Sequence, residues 1–201
     1  MPIRLLVLSI ALSTLLTAPL ASCGHHARVT VTPTSPNTPT NARLAPSLTT
    51  RAYTYEDENT VHIYLSDLSP EALADPDTAI QAVGQIVHIH MFIRPNPGRT
   101  PIEPDALNAS IRHAILAPNN ATGIYAGGGF LLPKSRAASG TFKGTIAEGT
   151  LRLEAATPNF TDALGPASLR ATFDIPNDDD LAAKLAARLA EAVKQTAMAN
   201  R

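Results

Sequence analysis

The segment Gln85-Ile86-Val87-His88-Ile89-His90-Met91 carries two imidazoles one residue apart in an apolar run. Successive side chains of an extended chain point to opposite faces, so His88 and His90 share one face of a strand. Two imidazoles at that spacing can grip one metal ion. A third ligand is available in His62, on an earlier strand-like segment, or in His113 on a later one. Three histidines on a sheet with water in the fourth position make a geometry that serves catalytic zinc. His88, His90 and His62 are therefore the candidate metal ligands, with zinc as the candidate cofactor. The competing reading makes the pair half-buried, hydrogen-bonded sheet residues. His113 suits a metal poorly because it shares its strand face with Ile111 and Ile115.

Other chemistry-bearing stretches are less complete. Ala126-Gly127-Gly128-Gly129-Phe130 is glycine-rich, but a phosphate cradle needs a helix opening directly after it. Phe130-Leu131-Leu132-Pro133 follows instead, so the glycines predict a bulge or a close backbone approach. The proline-stiffened stretch 94–104 displays Arg94, Arg99 and Glu103, a candidate surface for an acidic or glycan partner. No G-x-S-x-G elbow occurs, and Glu56-Asp57-Glu58 and Asp178-Asp179-Asp180 read as a turn and a helix start. With a formal net charge of −1, the chain has no basic stripe of the kind that holds nucleic acid.

The elements that must position these residues are mostly strands. Arg51–Glu56 and Thr60–Asp67 alternate around a short turn, and 85–95 is apolar on both faces, as in a covered central strand. Residues 109–117, an interrupted 124–133, 140–149, 150–157 and 168–176 continue the series, with Glu148-Gly149 read as a hairpin turn. Residues 68–84 read as locally helical, with Ser69 as cap. At the C-terminus Leu181, Leu185, Leu189 and Val193 recur every four residues behind Asn177 as cap, an amphipathic helix docked on a sheet. The predicted fold is α+β or mainly β: an antiparallel sheet or sandwich of about seven strands with that C-terminal helix.

The front of the chain reads differently. Met1-Pro2-Ile3-Arg4 is cationic, 5–21 is uncharged and apolar, and Leu20-Ala21-Ser22 leads into Cys23, the sole cysteine. The apolar run is short for a membrane span and has the flanks of a secretory signal. The stretch resembles the lipobox of bacterial lipoproteins. That resemblance implies cleavage before Cys23 and a covalent lipid on its thiol and amine. It accounts for a solitary cysteine in an oxidising compartment. Each buried methylene contributes about 0.8 kcal/mol, so several acyl chains hold firmly. Gly24 in place of Asp implies the outer membrane in a host with two membranes. The implied organisation is a signal peptide over 1–22, a lipidated Cys23 with a Thr/Pro-rich tether over 23–50, and one β-rich extracytoplasmic domain over 51–201.

These readings converge on a membrane-anchored envelope lipoprotein with a non-enzymatic, partner-binding or envelope-supporting domain. Its partners are membrane lipid through Cys23 and an envelope protein or glycan. A zinc-type enzyme centred on His88 and His90 is the rival, and a small-ligand or lipid carrier a third possibility.

Overall fold

The computed structural model describes residues 26–35, 43–74, 82–94, 107–134 and 140–199. Eight strands form one antiparallel sheet: β1 (His26–Pro33), β2 (Thr50–Tyr55), β3 (Val61–Ser66), β4 (Gly84–Met91), β5 (Ala109–Ala117), β6 (Ala121–Pro133), β7 (Thr141–Ala156) and β8 (Ala167–Pro176). Two helices are described, α1 (Pro70–Ala74) and α2 (Asp179–Ala199). The spatial order is β1-β8-β7-β6-β5-β4-β3-β2. From β2 to β8 each strand thus pairs with the next in sequence, and only β1 crosses over, to the far edge. The sheet curls into a half-barrel.

Alternation decides what lies inside the curl. Val61, Ile63 and Leu65 of β3 and Val87, Ile89 and Met91 of β4 point inward. They meet Tyr53, Tyr125, Phe142, Leu169 and Phe173 from the other strands. Together these side chains make the larger of the two buried apolar clusters. Full burial of one such aliphatic or aromatic side chain contributes about 1.5–3 kcal/mol. The outer face of β2–β7 carries a second, smaller core of Ala52, Tyr64, Ile86, Ala114, Leu116 and Ile124. Helix α2 packs there through Ala182, Leu185, Leu189 and Ala192, with the alanines on both sides allowing close approach.

The helix begins one residue later than the sequence suggests. Asp178 is the cap, its Oδ1 accepting from the Leu181 amide at 2.9 Å. Asn177 instead ties the end of β8 to β2 across the curl of the one sheet: its Nδ2 donates to the Tyr53 carbonyl at 2.9 Å. Ser69 does cap α1, accepting from the Ala72 amide at 3.1 Å. Residues 75–81 of that helical expectation lie outside the described residues, and 82–84 are not helical: Gly84 already opens β4.

Three sequence expectations are corrected. The tether assigned to 23–50 is not a spacer throughout: His26–Pro33 is an edge strand, Val29 and Val31 are buried, and β1 pairs with β8 along its whole length. The Thr/Pro composition masked a proline-free alternation over 26–32 that is long enough to pair. Leu44 then bridges to Val31 on the open side of β1, covering part of the edge. Second, Glu148-Gly149 is not a hairpin turn. β7 runs unbroken for 16 residues, with a register shift against β8 between Ile146 and Gly149. Third, 121–133 is one strand rather than an interrupted one, with register shifts against β7; the eight strands among the described residues fit the expected sheet of about seven. The glycine run serves the close approach expected of it: a Cβ on Gly127 would lie 1.8 Å from the Thr150 carbonyl oxygen.

Candidate functional site

Register brings the histidines together. His62 of β3 stands directly opposite His90 of β4, and Tyr64 directly opposite His88. All four point to the outer face, Tyr64 as part of the core on which α2 packs and the three histidines outside that core. Direct cross-strand neighbours lie close enough for ring contact, and the four rings form a zigzag stack. Tyr64 and His88 have centroids 4.5 Å apart, His88 and His62 5.3 Å, and His62 and His90 4.5 Å. The interplanar angle between His62 and His90 is 1°. Phe92 closes the stack edge-on to His90 at 6.3 Å.

The β2–β3 turn adds a carboxylate. Asp57 orders the turn by accepting from the Asn59 and Thr60 amides, each at 2.7 Å. Those two bonds are the main reason its carboxyl lies below the ordinary carboxylate range. The turn so fixed places Glu56 Oε2 3.4 Å from His62 Nε2. On its other side His62 Nδ1 lies 3.1 Å from His88 Nε2. With neutral rings one tautomer arrangement satisfies both contacts: His88 donates Nε2–H to His62 Nδ1, and His62 donates Nε2–H to Glu56.

Burial pushes His88 down to about 3, with His62, His90 and Arg112 adding repulsion of its charged form. His90 is pushed down as well, mainly by burial, and Glu56 opposes that shift. The Nε2 of His90 is buried and has no hydrogen-bond partner. Ligand atoms of Glu56, His62 and His90 lie within 4.8 Å of one another.

Thus the sequence-predicted residues His62, His88 and His90 do share one face, and His113 does not join them. His113 points into the half-barrel, is 0% exposed, and bonds through Nε2 to Gln85 Oε1 at 2.9 Å. Burial alone pushes it down to about 4. Arg94 follows the end of β4, close enough to Tyr55 to oppose the upward shift that burial imposes on that phenol. Arg99, Glu103 and Cys23 lie outside the described residues. Sequence reasoning missed Glu56 and Tyr64. The turn holding Glu56 was legible, but its place beside His62 follows from the hairpin register, in which Tyr55 pairs with Val61.

A surface depression lies elsewhere. An open groove of about 530 Å³ runs along β6–β8, lined by Leu107, Gly127, Glu148, Arg152 and Ser168 among others. No protein-family model, curated protein or solved structure matches the chain.

Proposed function

We propose that the chain is a lipid-anchored protein of the bacterial envelope, held through Cys23, whose β domain is a non-enzymatic module that binds an envelope protein or glycan. The observation that carries this reading is Leu20-Ala21-Ser22-Cys23 behind a charged and then apolar leader, in a chain with no other cysteine. The buried apolar cluster inside the curl supports a module that presents its outer surface rather than enclosing a substrate. The test is metabolic labelling with a clickable palmitate analogue in a bacterial host. The wild-type chain takes up label and fractionates with membranes, and Cys23→Ser abolishes both. Unlabelled wild-type chain in the soluble fraction overturns the reading.

The Glu56–His62–His90 cluster favours one second reading, a divalent transition-metal site. Its donors are an imidazole–carboxylate set suited to zinc, and the unpartnered His90 Nε2 gains a partner on binding. The parallel His62 and His90 rings cannot aim in-plane lone pairs at one point, so one ring must tilt as the ion enters. Zinc titration by calorimetry tests this. His62→Ala and His90→Ala abolish binding, Glu56→Gln weakens it, and His88→Ala leaves it in place. Absence of binding by the wild-type chain, or dependence on His88 but not Glu56, overturns that ligand set.

A further inference from the structure

The end of the sheet at which β1 begins carries a cluster of exposed apolar side chains. Antiparallel pairing places the start of β1 with the end of β8, the start of β7, the end of β6, the start of β5 and the end of β4. Phe92 and Ile93, just past β4, are 41% and 54% exposed. Leu107, just before β5, is 59% exposed, and Leu132, near the end of β6, is 42% exposed. Four of the six exposed large hydrophobics among the described residues therefore stand at this end. The other two, Val83 and Met198, stand at the opposite end.

These tips form one rigid rim. Asn108 ties the three strand ends together: its Nδ2 donates to the Ile93 carbonyl at 3.1 Å and to the Leu131 carbonyl at 2.9 Å. Its Oδ1 accepts from the Leu131 amide at 2.7 Å, and its carbonyl accepts from the Phe92 amide at 3.0 Å. Burial of Asn108 at 4% exposure holds the apolar side chains outward on a fixed frame.

The anchor is at the same end. Only three residue steps separate Cys23 from His26, the first residue of β1. A chain of that length spans at most about 10 Å. Lipid on Cys23 thus keeps this end of the half-barrel beside the bilayer surface, where a long tether would have let the domain stand off. Exposed apolar tips beside an acyl anchor add buried area to the same contact.

We infer that the rim of Phe92, Ile93, Leu107 and Leu132 docks on the lipid surface, so that the anchored domain has a fixed orientation. The inference rests on the lipidation of Cys23 proposed above. The carboxylates of the Glu56–Glu58 turn stand at the same end, beside β2 and β3, and stay in water. The contact is therefore made by the β4–β6 corner, where Arg94 and Lys134 flank the apolar tips in sequence. Docking covers Leu107 at the groove along β6–β8 and Phe92 beside His90, and leaves the rest of both surfaces to a partner.

The test uses the full lipidated chain, purified from membranes and placed in phosphatidylcholine vesicles. With the sole native cysteine acylated, an environment-sensitive fluorophore can be placed singly at Ile93→Cys, Leu107→Cys, Val83→Cys or Met198→Cys. Labels at 93 and 107 shift to the blue and lose most of their emission to nitroxide-bearing lipid. Labels at 83 and 198 respond to aqueous iodide instead. Equal quenching by iodide at all four positions overturns the docking and leaves the anchor intact. Labels at 93 and 107 shielded from iodide yet untouched by lipid nitroxide mean that a protein, a second copy included, covers the rim, which also overturns it. A wild-type chain that reacts with maleimide at Cys23 refutes the anchor, and the docking with it.

Discussion

Acid should unfold this domain through its buried histidines. Both His88 and His113 are neutral in the folded state, at about 3 and about 4, against an ordinary value of 6.5. The unfolded chain binds those protons below pH 6.5 and the folded chain does not. Stability is therefore full above that pH and falls as pH drops, until each folded-state value is reached. Each group contributes a slope of about 1.4 kcal/mol per pH unit inside its window. At pH 4.5 the two together cost on the order of 5 kcal/mol, an upper figure because water reaches part of His88. Small domains hold only about 5–15 kcal/mol in all, so the loss is decisive. The assay is urea unfolding followed by far-ultraviolet circular dichroism from pH 7.5 to 4.5, on wild type, His88→Gln and His113→Gln. Wild type should lose about 2.7 kcal/mol per pH unit near pH 5, and each variant about half that. A wild-type slope below that of one group, or a slope unchanged in both variants, would refute the assignment of neutral buried imidazoles.

Three further outcomes are expected. Gly127→Ala forces a Cβ onto the Thr150 backbone and should lower the melting temperature more than the same change at Gly140, where the added carbon meets open space and only the left-handed backbone, at φ 68°, is strained, by about 1–2 kcal/mol. Asp178→Ala removes the cap of α2 and should cost about 0.5–2 kcal/mol in denaturant unfolding. Removal of residues 24–33 strips an entire strand and exposes Leu169, Ala171 and Phe173, so the chain should aggregate or lose cooperative unfolding; a spacer in that position would be dispensable.

Alternation made much of the sheet legible. The run 109–117 is β5 to the residue, and the β2–β3 hairpin sits where the alternating segments put it. Period two also placed His62, His88 and His90 on one face once β3 and β4 were neighbours, because each strand writes its face locally. What stayed hidden depended on partners distant in sequence. β1 has only two inward valines of its own, and its burial is supplied by β8 more than a hundred residues away. Glu148-Gly149 has the composition of a turn, yet Gly149 is there because a Cβ would stand 2.8 Å from Ile111 Cδ1, a contact two strands across. Glu56 was read as part of a turn, which it is; its approach to His62 needs the hairpin register, not the turn's composition.

The pairing of the first strand with the last sets an order of assembly. The strands β2 to β8 can zip one after another, no step closing a loop longer than the 17 residues of 67–83 and of 92–108. β1 has no site until Ala167–Pro176 is in place, and its partners lie 134 (33 to 167) to 148 (26 to 174) residues away. Closing a loop of that size costs about 4 kcal/mol of chain entropy, which only completed packing can offset. The strand next to Cys23 is thus expected to dock last. A chain emerging N-terminus first would present that segment, unfolded and reachable, to processing enzymes for the whole interval before the final strand locks it down.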